Sequence, residues 1–428
     1  MADLPQQRCT QRYRIYFSNR FDTRPTPMNS SKDAHPDGPG MPLAGLKVLD
    51  FGHTVMGPTC GLILADLGAR VVRVERPIGD PTRNLKGFGA GFFGYFNRNK
   101  ESLAIDLKDP ACRPIMDAAF RWADVAIENF GPGVMDRLGY GYDAVKASNP
   151  RLIYCSLKGF LSGPYESRPA LDEIVQMMGG LAFMTGPRGR PLRAGSSIVD
   201  VGGGMFGVIG ILAALRARET SGQGTLVTSA LYETTAFLVG QHIAMHQIGG
   251  IPVVPMPERT HAWAVYDLFD CEDGQIFVGV TSDAQWQRFC RSFGLKSFEL
   301  DSELATNELR VLARPRLIPL LADRLRSCTV SEVESACVAA AVPVAPVRTP
   351  LDLVEDPHLK SNGSLLDIAY GAAKATLPAL PIRIDDRAPE VRIQPQPIGA
   401  QTTSLLHEWG IDSSAALSLL EAGKVRAT

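Results

Sequence analysis

The sequence predicts an α/β chain, a parallel sheet with helices followed by a smaller α+β region, and three observations carry that prediction. Leu46 to Phe51 (LKVLDF) reads as a strand, Cys60 to Leu67 as a short helix closed by Gly68, and Arg70 to Glu75 (RVVRVE) as a second strand. Strand, helix, strand with a glycine at the helix end is a unit whose two strands run parallel. The pattern then recurs: Ala123–Glu128 as a strand, a helix after Gly139, and Leu152–Ser156 as a strand. Around residues 260–345 the texture changes. A hairpin (Tyr266 to Cys271, a turn at Glu272–Gly274, Gln275 to Val280) precedes amphipathic helices near 284–294, 313–327 and 331–339.

Between these regions a long helix follows the glycines at 202–204 and runs through Ile209–Leu215, and Ser221-Gly-Gln-Gly224 turns the chain into a strand at Thr225–Thr228. From about residue 365 the tail returns to short strands and ends in a helix at 414–423. A chain of 428 residues, at about 150 residues per domain, holds two or three domains. The expected division is a disordered extension over 1–40, a large Rossmann-like domain over 41–235, a linker and small α+β domain over 236–349, and a return linker with the C-terminal part of the large domain over 350–428. The first stretch carries Arg8, Arg12, Arg14, Arg20 and Arg24 but no apolar core of a secretory signal. It reads as a disordered extension, as a stretch upstream of a true start at Met41, or as an organelle transit peptide, with the plainer readings preferred.

Composition excludes several classes. Hydrophobic residues make up 45% and charged residues 21%, which rules out a disordered, collagen-like or coiled-coil chain. Lys and Arg number 44 against 45 Asp and Glu, a net charge of −1, so nothing favours nucleic acid or an anionic membrane as a partner. The eight cysteines form no CxxC pair, and Cys60 and Cys155 lie in apolar contexts that suit small core residues. That usage predicts a reducing, cytoplasmic compartment, or the mitochondrial matrix if residues 1–40 are a transit peptide. No apolar run is expected to approach the roughly 18 residues of a membrane span.

The loop after the first strand, His53 to Pro58, lacks the GxGxxG of a dinucleotide site, which argues against NAD(P) although Glu75 ends the second strand. His242 and His246 have the spacing of two metal ligands on one helix face, but HExxH is absent and no third ligand is evident, so no metal is expected. Asp200 follows a strand-like Ser197–Val199 and precedes Gly202, Gly203 and Gly204. By pattern alone it is a helix cap. The alternative is a nucleophile at a strand-to-helix corner. Asp172, in Arg168-Pro-Ala-Leu-Asp-Glu-Ile-Val-Gln176, has helix capping as its plain reading.

Several stretches together resemble the class III CoA-transferases, the family of formyl-CoA transferase and carnitine CoA-transferase with α-methylacyl-CoA racemase as a sister. They include Leu43–Asp50, Gly57-Pro58, Asp66–Pro77, Asn97–Lys100 with Ser102–Lys108, Glu128–Gly133, Asn149–Tyr154, Arg168-Pro169, Asp200 with Gly204, Thr220–Gly224 and Pro397–Thr402. The resemblance covers residues 41–428, and the ordered set is specific where any one piece is weak. It implies that an aspartate attacks an acyl-CoA thioester and passes through an aspartyl–acyl anhydride and an aspartyl-CoA thioester. It places that nucleophile on Asp200, with Gly202, Gly203 and Gly204 keeping side chains away and leaving N–H groups for an oxyanion.

By position, the resemblance puts the CoA contacts on His53, Val55, Met56, Arg76, Ile105, Lys108, Asn129, Phe130, Arg137 and Arg168. It further implies a homodimer of interlocked rings and no cofactor beyond the CoA thioester substrate. Two departures matter. Formyl-CoA transferase carries a glycine-rich loop where this chain has Pro252–Thr260 without a glycine run, which leaves the acceptor open. The racemase has a His-Asp pair where this chain has Leu171-Asp172, so the base on the second face of the α-carbon is missing. The expected activity is transfer of CoA from an acyl-CoA, such as succinyl-CoA or a similar short acyl donor, to a short di- or hydroxy-carboxylate. A 2-methylacyl-CoA racemase and a non-catalytic CoA-binding protein are the alternatives. Arg259 and His261 are candidates for the acceptor carboxylate.

Overall fold

The computed structural model describes residues 40–259 and 261–428. The arginine-rich start, with the disordered extension expected there, and Thr260 lie outside the described residues. Six parallel strands form the main sheet: β1 (Lys47–Asp50), β2 (Arg70–Glu75), β3 (Lys100–Ile105), β4 (Val125–Glu128), β5 (Ile153–Lys158) and β6 (Leu226–Ala230). Three further strands, β7 (Val265–Asp270), β8 (Gln275–Val280) and β9 (Val344–Pro346), make a separate antiparallel sheet. The strands β10 (Leu365–Tyr370) and β11 (Ala373–Pro378) form a hairpin, and β12 (Val425–Arg426) joins the main sheet antiparallel to β3.

The main sheet runs β12-β3-β2-β1-β4-β5-β6, so the chain builds outward from β1 in one direction and then in the other. Strand residues alternate between the faces. Leu49 and Val72 face one apolar cluster with Phe120 and Leu405, while Val48 and Val71 face another with Cys60, Ile153, Cys155 and Ile211. A parallel sheet buried on both sides explains why Val125–Ile127 and Ile153–Cys155 are apolar at every position. A third cluster, with Phe289, Leu321 and Val333, lies under β7 and β8 against the helices Asp283–Ser292, Arg314–Arg326 and Val330–Ala339.

Two expectations about helices change. The first helix starts at Met56 rather than Cys60, because Pro58 sits in the first turn, where its missing N–H costs nothing. Gly68, at φ +107°, ends that helix as expected. The long helix spans Ile198–Ser221, so Ser197–Val199 opens a helix instead of a strand. The β-branched pair Ile198 and Val199 has strand propensity, but tertiary contacts override it. The glycines of this helix serve packing. A Cβ on Gly203 would lie 2.5 Å from Met56 Cε, and one on Gly204 would lie 2.7 Å from Met56 O and 3.0 Å from Thr59 Cβ. The backbone contact at Gly204 requires glycine, whereas at Gly203 the nearest atom is the flexible tip of the Met56 side chain.

The same helix corrects a second expectation. An 18-residue window within Ile198–Ser221 has a mean hydropathy of 2.0, enough by length and composition to cross a membrane. Glycines and alanines dilute its visible aliphatic content, which hides the run from a reading that looks for Leu and Ile. In the structure its inner side, with Val208 and Ile211, is buried in the core, while Met205, Ile209 and Leu212 form an exposed apolar side.

Candidate active site

Asp200 stands at the carboxyl edge of the main sheet because of topology. Its helix is the crossover between β5 and β6, and a crossover helix begins where the preceding strand ends. Asp200 is the third residue of that helix and not its cap, which is Ser197. The free N–H groups of the first turn are satisfied from outside. Val199 N donates to Asp172 Oδ2 at 2.9 Å and Asp200 N to the same oxygen at 3.2 Å.

Asp172 is correspondingly not the cap of its own helix, Asp172–Met178, whose cap position is Leu171. Its buried carboxylate caps another helix and is pinned by Gln176 Nε2 at 2.5 Å and Arg193 at 3.3 Å. Gln176 Oε1 in turn accepts from Ala194 N at 2.9 Å. The Asp200 carboxylate, by contrast, accepts no hydrogen bond from any described residue. Burial first, and then the negative charge of Asp172, push its pKa up to about 7, with Arg193 opposing. A basic, unpaired carboxylate at a half-open position is suited to nucleophilic attack.

Gly202, Gly203 and Gly204 do not supply oxyanion donors. They lie inside the helix, where N–H groups bond to carbonyls one turn back. Gly203 and Gly204 contribute the packing described above, and Gly202 faces Thr234, whose Cγ2 would lie 3.2 Å from an added Cβ.

The predicted CoA contacts, together with the two candidates for the acceptor carboxylate, fall into three groups. His53, Arg76, Ile105, Lys108 and Phe130 share one cavity of about 670 Å³, outside the carboxyl ends of β1 to β4. That is where the strand order reverses, the position at which open α/β sheets bind ligands. Arg76, Lys108 and the nearby Arg137 are exposed and have no ion-pair partner among the described residues. Free guanidinium and ammonium groups are what phosphates require. Two of the three acids lining the same cavity are neutralised, Glu75 by Arg83 at 2.5 Å and Asp80 by Arg73, while the third, Asp106, accepts from Lys108 N at 3.0 Å. Asn129 lies beneath, holding His53 N at 2.8 Å and His53 O at 3.0 Å and so tying the loop after β1 to the loop after β4. The His53 ring stacks on Phe130 with centroids 5.4 Å apart, and burial pushes its pKa down.

The second group is displaced. Val55 is buried and lines a different cavity, while Met56 is a core residue under Gly203. The third group stands elsewhere. Arg168 is exposed and stacks over Tyr165 at 4.1 Å. Arg259 donates to the carbonyls of Met256 (2.9 Å) and Tyr266 (3.2 Å), so its guanidinium braces the entry to the three-stranded sheet. His261 has its pKa lowered by burial and then by Arg314. Neither of these two lines the cavities beside His53 or Val55. His242 and His246 bond locally, and among the described residues no group of His, Cys, Asp or Glu could hold a metal.

Sequence reasoning missed the cavity that Val55 lines. It measures about 640 Å³ and is walled by Phe88, Phe92, Tyr95, Phe96 and Tyr370, with Ser197 and Val201 on the Asp200 helix. The Gly- and Phe-rich stretch Gly87–Phe96 was a visible signal for it, whereas Tyr370 arrives from a distant hairpin and carried none.

The sequence matches the profile of CoA-transferase family III over residues 43–402. It is 30% identical over 394 residues to the succinyl-CoA:glutarate CoA-transferase of Homo sapiens, covering 90% of each chain. It is 31% identical over 395 residues to the formyl-CoA:oxalate CoA-transferase of Rhodopseudomonas palustris (strain TIE-1), covering 86% of this chain and 93% of that one. Among solved structures, a CAIB/BAIF family protein from Brucella suis superposes with a TM-score of 0.78 at 30% identity, covering 86% of this chain and 99% of the other.

Proposed function

This chain belongs to CoA-transferase family III, and from that premise we propose that it moves CoA from an acyl-CoA to a carboxylic acid with Asp200 as the nucleophile. The observation that carries the reading is the unpaired Asp200 carboxylate, raised to about pKa 7 and held over the fixed charge of Asp172. An Asp200 oxygen attacks the thioester carbonyl, the C–S bond breaks, and an aspartyl–acyl anhydride forms with CoA thiolate still bound. The thiolate attacks the aspartyl carbonyl, the donor acid leaves, and an aspartyl-CoA thioester remains. The acceptor carboxylate attacks that thioester and regenerates an anhydride. Thiolate attack on its acyl carbonyl then gives the new acyl-CoA and restores Asp200. No net proton or electron is consumed, so the cycle calls for no cofactor beyond the CoA thioester. Dividing the exchange into covalent steps is the benefit a nucleophile gives.

In this reading the cavity at His53 takes the nucleotide, with Arg76, Lys108 and Arg137 meeting phosphates. The two relatives differ in donor and acceptor at nearly equal identity, 30% and 31%. Overall likeness therefore does not choose between a succinyl donor with a dicarboxylate acceptor and a formyl–oxalate pair. A racemase would need a base where Leu171 stands, and Leu171 is 66% exposed. A cytoplasmic setting, or the mitochondrial matrix, remains part of the proposal.

The test is trapping. The protein is incubated with succinyl-, acetyl-, formyl- and 2-methylacyl-CoA, treated with hydroxylamine and digested with trypsin, and the peptide Ala194–Arg216 is weighed. A hydroxamate on Asp200 is expected. An unmodified peptide with every donor, while CoA still binds, removes Asp200 as the nucleophile.

A homodimer is also proposed. Met205 and Ile209 on the Asp200 helix, with Phe237, Ile243 and Ile248 at or just beyond the helix Leu231–Gln247, are exposed at 47% or more. So much uncovered apolar surface in one region marks an interface. Sedimentation equilibrium should return twice the chain mass of 46.3 kDa, and a monomer at micromolar concentration would remove the proposal.

A further inference from the structure

The loop His53–Val55 separates two cavities: His53 and Thr54 line the one with free cations, and Val55 lines the aromatic one. Ser197 and Val201, which bracket Asp200 on its helix, also line the aromatic cavity. An acyl-CoA whose thioester lies at Asp200 would therefore send its nucleotide to one side of this loop and its acyl group to the other. We propose that one acid of the exchanged pair carries an aryl or branched apolar group, which occupies the cavity walled by Phe88, Phe92, Tyr95, Phe96, Tyr370 and Val201. The proposal rests on the CoA-transferase reading and names the substrate class of that same site.

Three features support it. None of the described residues lining this cavity is charged. Arg193 lies 5.1 Å over the Phe88 ring, but it already donates to Glu173, Asp172 and the carbonyls of Ala194 and Ser196. A second carboxylate placed here would lose its water without gaining a cation, whereas an apolar group gains from burial. The aromatic walls are also ordered by one another. Phe92 meets Phe88 at 5.4 Å (78° between planes) and Phe96 at 6.1 Å (86°), edge to face. Finally, the volume of about 640 Å³ far exceeds the needs of a formyl or oxalyl group and is typical of sites for larger organic ligands.

The test uses the full chain with whichever acyl-CoA labels Asp200 best as donor. Acceptors 3-phenylpropionate, 4-methylpentanoate, glutarate and oxalate are compared by kcat/KM for formation of the new acyl-CoA. The apolar acids are expected to exceed glutarate and oxalate by roughly 10- to 100-fold, the discrimination a shaped apolar site gives. Ala375→Trp, which fills the cavity from β11, should lower the ratio of phenylpropionate to glutarate by a similar factor. Glutarate or oxalate equal to or better than both apolar acids, or a ratio untouched by A375W, overturns the proposal while leaving the transferase reading standing. Absence of transfer to every acceptor together with an unlabelled Asp200 overturns both.

Discussion

Asp200→Asn is expected to abolish CoA transfer and at the same time to stabilise the fold at pH 8. The amide is isosteric but cannot form an anhydride or a thioester, so turnover should fall by at least about a thousandfold, the usual cost of deleting a covalent nucleophile. The stability effect follows from the carboxyl's pKa, about 7 in the fold against 3.8 in the open chain. A carboxyl raised by folding is easier to ionise in the unfolded state. The fold therefore loses stability as pH climbs from about 4 to about 7, and the loss persists above that. The rise from 3.8 to about 7, converted at about 1.4 kcal/mol per tenfold change in acidity and discounted for the water that reaches a half-open group, leaves on the order of 2 kcal/mol. Urea unfolding of wild type and D200N at pH 8 and at pH 4.5 should show the variant ahead at pH 8 and the gap narrowed at pH 4.5. A plain helix cap would give the opposite sign, a loss of about 1 kcal/mol. The wild-type kcat/KM should also fall as pH drops below about 7, since only the ionised carboxylate attacks.

The sheet was legible because strand signals here are short runs rich in β-branched residues, and Arg70–Glu75 and Gln275–Val280 were read with their observed bounds. What pattern reading could not reach depended on partners distant in sequence. Ser197–Val199 looks like a strand until Asp172, 27 residues earlier, takes up the N–H of Val199. The glycines at 202–204 look like a catalytic loop until Thr234 is seen against Gly202 and Met56 and Thr59 against Gly203 and Gly204. Of the expected CoA residues, those at strand ends came together, because topology carries a strand end to the sheet edge whatever its side chain. Arg168, on a connecting segment, had no such guide, and neither had Arg259 and His261, the candidates for the acceptor carboxylate.

Asp172 is the second position where a large effect is expected, and its variants separate positioning from chemistry. Asp172→Asn keeps one acceptor oxygen for the N–H groups of Val199 and Asp200 but removes the charge. Its amide N–H₂ then faces Gln176 Nε2 or Arg193, donor against donor. Losing one acceptor for Gln176 and leaving the half-buried Arg193 guanidinium to Glu173 should cost on the order of 2 kcal/mol. Deleting the like charge beside Asp200 also removes one of the two causes that raise its pKa, and a less engaged Arg193 lowers it further. Burial, the larger cause, remains, so the acid limb of the kcat/KM profile should move down by about one pH unit and not return to an ordinary carboxylate range. Turnover at pH 8, where Asp200 is ionised in both proteins, should change less than turnover at pH 6, where the variant's nucleophile is the more ionised of the two. A purely structural Asp172 would lower activity by the same factor at every pH, so an unshifted acid limb in a folded D172N enzyme would refute its role in setting the nucleophile's basicity.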